Sequence, residues 1–391
     1  MINRIIAILA VLMFGMLGSN LSAQELSRFV AARVQQAYEF QSNDQSVKAI
    51  KVLESVDSSR AFDTSYVQRM LGILYWQQQQ NSKAETALTR AIQSKGLPIE
   101  QHLETQIMLA DIQLSNAKVP EALANYHQVI VQNKQKPSLD AASVQKVWLR
   151  IAQANYQLEN WKPVLTAVQN FYAQAGKADT SVLRLQLAAE LSLKRWSRAL
   201  ETTFALRAIE PKREKWWTQA VNLQLRTRNY PQALATLKQF ERAGFELTSS
   251  QYRMMAQLYA KQGVPESSAQ IFHQLNNSKP VSANDLAIEA KYWQLAREWD
   301  DALQAWARAA SIDSDYRWPY IQLLMQNKHY QQAIAQLELL QSSARKELTT
   351  AQVYYRLGDG KKALLHAQKA NQIHSDEATL SWIRFLDSKY H

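Results

Sequence analysis

Residues 251–280 read QYRMMAQLYAKQGVPESSAQIFHQLNNSKP. Tyr252, Met255, Ala256, Tyr259, Ser268, Phe272, Leu275 and Pro280 run large, large, small, aromatic, small, aromatic, apolar and proline. Small residues twelve apart predict two antiparallel helices that touch at Ala256 and Ser268, where a larger side chain would push the backbones apart. The same frame recurs at Ala37/Ala49, Gly72/Ala84, Ala110/Ala122, Ala152/Val164, Leu187/Ala199, Val221/Ala233, Ala290/Ala302, Ile321/Ala333 and Ala351/Ala363. Ten helix-turn-helix units result, 30 to 42 residues apart. A period of that size is the mark of a solenoid, in which each unit buries its apolar face on its neighbours.

The pattern resembles the tetratricopeptide (TPR) family, whose marked positions the 252–280 segment matches throughout. The resemblance covers nearly all of residues 30 to 375 and is weakest in units one, four and nine. It implies an all-α fold: an α-solenoid, a right-handed TPR superhelix of about ten degenerate helix-turn-helix repeats, its inner face built mainly by the first helix of each unit. Leu187, Val221 and Ile321 at the first small position, and Val164 at the second, predict looser packing or shifted register in their units. Trp161, Trp196, Tyr230, Trp299 and Tyr330, just before the second helix, are expected to plug the turn and join the core. Pro211 and Pro280 fall where a helix must stop. The widest spacing lies between units three and four, where Asn133-Lys-Gln-Lys-Pro-Ser-Leu-Asp140 is polar and lacks helical period. The expected organisation is therefore units one to three over 24–132, a hinge over 133–143, units four to ten over 144–375, and a capping helix over 376–391 with apolar positions at Leu380, Ile383 and Phe385.

Residues 1–23, MINRIIAILAVLMFGMLGSNLSA, carry one cation at Arg4, an apolar run from Ile5 to about Leu17, and Ser22-Ala23 at the end. That is the layout of a cleavable signal peptide, with the cut expected before Gln24; an uncleaved membrane anchor is the alternative, against which stand the short apolar run and the Leu-Ser-Ala that follows it. No later stretch approaches a membrane span, so the processed chain is expected to be a periplasmic protein without an integral span. The net charge of +11 becomes +10 once Arg4 is removed. Nine Gly and nine Pro argue against a turn-dense sandwich, and zero Cys excludes disulfides, thiolate metal sites, Cys nucleophiles and a lipid-bearing cysteine.

No zinc, nucleophile-elbow or phosphate-loop motif is present, so no catalytic residue, metal ligand or cofactor is assigned. His366 and His374 are eight apart without a matching carboxylate, and Asp300, Asp301, Asp313 and Asp315 fall at helix starts, where carboxylates cap. An enzymatic, glycan hydrolase-like reading would need a catalytic Glu in a cleft; Glu159, Glu190 and Glu298 are acidic on or near first helices, with no motif around them.

The TPR frame places Lys146, Arg184, Lys215, Arg253, Lys291 and Arg345 at first-helix positions that point into the groove in the family. Such a seam suits an acidic or extended peptide segment or an acidic glycan; scattered solvated charge is the alternative. Trp76, Tyr156, Trp318 and Tyr355 at comparable positions could serve as anchors or as packing residues. Lys215 with Asn222 matches only a fragment of the carboxylate clamp that captures chaperone tails. The basic and aromatic run Pro211–Trp217, followed by Arg226 and Arg228, would suit nucleic acid in another compartment, but the signal peptide argues against that partner. The expected function is a non-catalytic scaffold for an envelope complex. Its plan is similar to periplasmic TPR proteins associated with TonB/ExbB/ExbD energy-transducing systems, which implies a part in TonB-dependent uptake. TPR components of polysaccharide export or outer-membrane assembly share that plan.

Overall fold

The computed structural model describes residues 25–174, 177–277 and 281–390; the predicted signal peptide and Pro280 lie outside the described residues. Among them are twenty-one α-helices, one 3-10 turn and no strand. The chain divides into two compact units, one ending at Ile209 and the other starting at Glu210.

The first unit holds five helix pairs: α1 (Arg28–Ser42) with α2 (Ser46–Glu54), α3 (Ala61–Gln77) with α4 (Asn81–Gln93), α5 (Ile99–Ser115) with α6 (Val119–Gln135), α7 (Ala141–Gln157) with α8 (Trp161–Ala173), and α9 (Thr180–Ser192) with α10 (Trp196–Ile209). The second holds α11 (Glu214–Arg226) with α12 (Tyr230–Arg242), α13 (Ser249–Lys261) with α14 (Pro265–Asn277), α15 (Ala283–Ala296) with α16 (Trp299–Ile312), α17 (Arg317–Gln326) with α18 (Tyr330–Glu338), α19 (Ala344–Arg356) with α20 (Gly360–Ile373), and a last helix α21 (Glu377–Tyr390). Within each pair the two helices pack on one another, and each pair meets the next within its unit. The fold class is an all-α stack of TPR-type helix pairs.

All ten small-residue pairs are buried. A Cβ on Gly72 would stand 2.5 Å from the Leu88 side chain and 3.4 Å from the Ala84 carbonyl oxygen, which measures how tightly α3 and α4 approach. In the seventh pair the Ser268 hydroxyl donates to the Ala256 carbonyl across the contact, at 2.7 Å. The larger residues Leu187, Val221, Ile321 and Val164 are buried too. Each faces an alanine, Ala199, Ala233, Ala333 and Ala152 respectively, so one small partner suffices to close the pair. Trp161, Trp196, Tyr230, Trp299 and Tyr330 are each the first residue of a second helix and half-buried, and Trp161, Tyr230, Trp299 and Tyr330 pack on the core clusters.

The turns carry a regularity that residue types conceal. Five residues before the second small position, the backbone is left-handed in every pair: Asp44, Gln79, Ala117, Glu159, Lys194, Arg228, Gly263, Arg297, Lys328 and Gly358 all have positive φ. At α7–α8 the Glu159 N–H donates to the Tyr156 carbonyl and the Asn160 N–H to the Asn155 carbonyl. This is the Schellman closure that satisfies the last carbonyls of a helix. Only two of the ten positions are glycine, although a side chain there costs about 1 kcal/mol. We expect Glu159→Gly or Lys194→Gly to stabilise the first unit by about 0.5 kcal/mol, part of the relief being offset by the looser unfolded chain. Lys194→Val should destabilise it; urea midpoints of the variants give the comparison.

The segment expected as a hinge lies inside the first unit and is shorter than 133–143, since α6 runs to Gln135 and α7 starts at Ala141. Asn133 Oδ1 accepts from the Ser138 and Leu139 amides at 2.9 Å each, and Asp140 caps α7 by accepting from the Ser143 amide at 2.7 Å. Hydrogen bonding from Ser143, through its side chain first and its backbone amide next, holds the Asp140 carboxyl below its ordinary range.

The last helix, α21, packs Ile383 as its apolar spacing implies, but not Leu380 or Phe385. Leu386 and Thr379 are buried and Trp382 and Ile383 pack on the terminal cluster, while Leu380 and Phe385 are exposed. A period of 3.6 aligns 379, 382, 383, 386 and 390 on one face and leaves 380 and 385 off it.

Candidate partner-binding groove

The first helices of pairs two to five line one groove of about 550 Å³ in the first unit. Trp76 comes from α3; Asp111, Leu114 and Ser115 from α5; Arg150, Gln153, Tyr156 and Gln157 from α7; Leu185 from α9. Counted from the small residue, Trp76, Leu114 and Tyr156 all stand at +4, one helical turn beyond the pair contact. The second helices, which turn away behind them, contribute nothing to the lining.

Trp76 and Tyr156 keep 39% and 43% of their surface exposed. Tyr156 is held from behind by Trp161, ring edge to face at 5.6 Å. Below the rings, Arg150 Nε meets Asp111 Oδ1 at 3.1 Å and Arg150 Nη1 donates to Gln153 at 3.0 Å. Asp111 also accepts from the hydroxyl of Tyr126, a fully buried residue of α6. Burial, then the charge and hydrogen bond of Asp111, push the Tyr126 phenol far above its ordinary value. Tyr75 on α3 is likewise raised to about 12 by burial and by its hydrogen bond to Glu54.

A phenol whose folded pKa lies above its unfolded one contributes its stability in full below about pH 10 and loses it as pH rises toward the folded value. The first unit should therefore weaken above pH 10. Tyr126→Phe should lower its stability at pH 8 by about 1 kcal/mol and make the alkaline fall shallower, read from urea midpoints between pH 8 and 11.

The structure distributes the sequence-derived candidates unevenly. Trp76 and Tyr156 share the groove, and Lys146 is exposed on α7 one turn before Arg150. Arg184 is exposed on α9, beside the groove residue Leu185. In the second unit Lys215 and Lys291 are exposed, with the Lys215 ammonium 5.2 Å from the Trp216 ring. Arg253 is not an open cation: it grips Asp285 of the next first helix with two bonds of 2.8 and 3.0 Å. Arg345 and Trp318 engage each other, the guanidinium 4.0 Å from the ring. Tyr355 is no groove anchor, because α21 covers it: Trp382 and Phe385 meet its ring at 5.7 and 5.4 Å, and Lys389 donates to its hydroxyl. These partners lie some thirty residues away, beyond any local pattern. Residues missed from the sequence are Arg150, Asp111, Leu114, Gln153, Gln157 and Leu185; Arg150 was reachable as the i+4 neighbour of Lys146.

The carboxylates weighed for catalysis have structural surroundings. Glu190 is buried and accepts from Thr202 at 2.7 Å and Gln186 at 2.9 Å. Glu159 holds a left-handed turn and Glu298 precedes α16. His366 binds Glu347 at 2.6 Å and stacks on Tyr354, and no cluster of three metal-ligating side chains occurs among the described residues. In the basic run after α10, Glu210 accepts from Arg213 and from the Trp216 indole, while Trp217 donates to the Pro211 carbonyl.

Several solved structures similar to this chain are described as tetratricopeptide repeat proteins. A tetratricopeptide repeat protein from Parabacteroides merdae is similar over 69% of this chain and 99% of its own, at 13% identity and a TM-score of 0.40. The C-terminal part of a TPR repeat-containing protein from Cytophaga hutchinsonii covers 70% of this chain and 98% of its own, at 13% identity and 0.34. YrrB, described as a TPR protein with an unusual peptide-binding site, covers 48% of this chain and 100% of its own, at 15% identity and 0.34. No protein-family profile and no curated protein matches the chain. The buried small-residue contacts and the repeated left-handed turns define an all-α helix-turn-helix repeat protein.

Proposed function

We propose that this chain is a non-catalytic scaffold that binds a protein partner on the first-helix face of its repeats. The observation that carries this reading is the groove of the first unit, which four successive first helices line and in which two large aromatic rings stand open to solvent. Exposed apolar surface gathered in a concavity costs stability unless a partner covers it. We further propose that residues 1–23 export the chain to the periplasm, where it serves an envelope complex. A TonB-dependent uptake system is the first candidate; polysaccharide export or outer-membrane assembly is the second. Among the described residues no helix is long and apolar enough to cross a membrane.

In-cell photocrosslinking tests this. A photoreactive residue at Tyr156 should capture one discrete protein, while one at Thr166, exposed on the second helix of the same pair, should not. Equal capture from both positions would overturn the groove as the binding face. The mature N-terminus should be Gln24; a chain retaining Met1 would overturn export by cleavage.

A further inference from the structure

The groove of the first unit is unbalanced in its hydrogen-bonding groups. Its one carboxylate, Asp111, is already engaged by Tyr126 and Arg150. Among the described residues, by contrast, the Trp76 indole N–H, the Tyr156 hydroxyl, the Arg150 Nη2 and the Gln153 amide nitrogen have no protein partner to donate to. Arg150 is 46% exposed and lines the groove; Lys146, one turn earlier on α7, is exposed too. The walls around these donors are apolar, with Leu114, Leu185 and the two rings. A ligand that fills this space needs a bulky apolar group, acceptors in excess of donors, and negative charge near Arg150.

Resting on the reading of this face as a binding surface, we propose that the groove selects an extended peptide segment in which an aromatic side chain stands two residues from an Asp or Glu. The ring enters between Trp76 and Tyr156, backbone carbonyls accept from the unpaired donors, and the carboxylate takes the open edge of Arg150. Two residues is the shortest spacing that keeps both side chains on one face: they lie about 6.6 Å apart on an extended chain, and side-chain reach spans the rest of the about 9 Å between Arg150 and Tyr156 along α7. Neighbouring residues would point to opposite faces.

The probe is a labelled, capped peptide Gly-Asp-Gly-Phe-Gly-Asp-Gly, titrated against the processed full chain by fluorescence anisotropy at low salt. Replacing both Asp by Asn should weaken binding about tenfold, and replacing Phe by Ala should weaken it at least as much. Arg150→Gln should weaken the Asp peptide about tenfold while leaving the Asn peptide unchanged; Trp76→Ala should weaken both. Should Arg150→Gln perturb the fold, the solvated Lys146→Gln supplies the same contrast at about threefold, together with a shallower salt dependence. Equal binding of Asp and Asn peptides, or an equal effect of Arg150→Gln on both, would overturn the proposal. Tighter binding of galacturonate oligomers than of the peptide would overturn it in favour of an acidic glycan. If no peptide binds while a photoreactive residue at Tyr156 still captures a protein in cells, this specificity falls and the scaffold stands.

Discussion

Replacing Gly96 by alanine should cost the first unit about 2–4 kcal/mol, the largest loss expected from a Gly→Ala change among the described residues. Gly96 joins α4 to α5, buried against the start of α3. An added Cβ would lie 2.2 Å from the Ala61 carbonyl oxygen, 2.3 Å from its carbon and 2.5 Å from the Phe62 nitrogen. These atoms belong to a helix backbone and cannot rotate aside, so the loop must retreat. The retreat also strains the bond from the Gly96 amide to the hydroxyl of buried Ser65, 3.0 Å. Gly72→Ala meets a slightly longer contact, 2.5 Å, with Cγ and Cδ2 of the buried Leu88; a side chain can shift where a backbone cannot, and alanine gains helix propensity, so its cost should be smaller, about 1–2 kcal/mol. Hydrogen exchange should show lost protection after Gly96→Ala within residues 25–209 and unchanged protection across 210–390. Equal stability of Gly96→Ala and wild type would show that the loop has room which its geometry denies.

That contrast also marks what the sequence made legible. The pairing of Ala256 with Ser268, and of nine further small residues with their partners, could be read directly because close helix approach demands a small side chain on at least one of the two helices. The left-handed turns escaped notice because the hydrogen-bond closure imposes their geometry on Glu159, Lys194 and Arg228, residue types that do not announce it. Gly96 carried no local signal, since its reason is the start of a helix thirty-five residues earlier. The groove was half legible. Trp76 and Tyr156 follow from the repeat frame, but whether a first-helix cation is open depends on partners a repeat away, as Arg253 with Asp285 and Tyr355 beneath Trp382 demonstrate. Overall charge was least informative, because it does not say which cations are engaged with neighbouring carboxylates or rings, as Arg253 and Arg345 are.

Removing the last helix should damage the second unit on a similar or larger scale. A chain ending at Ser375 loses Leu386, fully buried in the terminal cluster, with Trp382 and Ile383 packed beside it. It also uncovers Tyr355 and Gly360, the latter so close to the Tyr390 ring that a Cβ would fall 2.5 Å from it. At about 2 kcal/mol for a fully buried large apolar side chain and less for partly buried ones, the lost packing amounts to about 4 kcal/mol. Ala363 and Ala367 of α20, which cluster with Leu386, would lose that contact. In a stack stabilised by neighbour contacts, the terminal pair has one neighbour only, so it should fray first and transmit the loss inward. The truncated chain should therefore lose hydrogen-exchange protection most in 344–373, then in 317–338, with residues 25–209 unchanged, and should tend to aggregate through the uncovered face. Leu386→Ala in the full chain isolates the packing at about 3 kcal/mol without exposing a helix. Unchanged protection in 344–373 in both variants would mean that α21 is an appendage, and that the last pair closes the stack unaided.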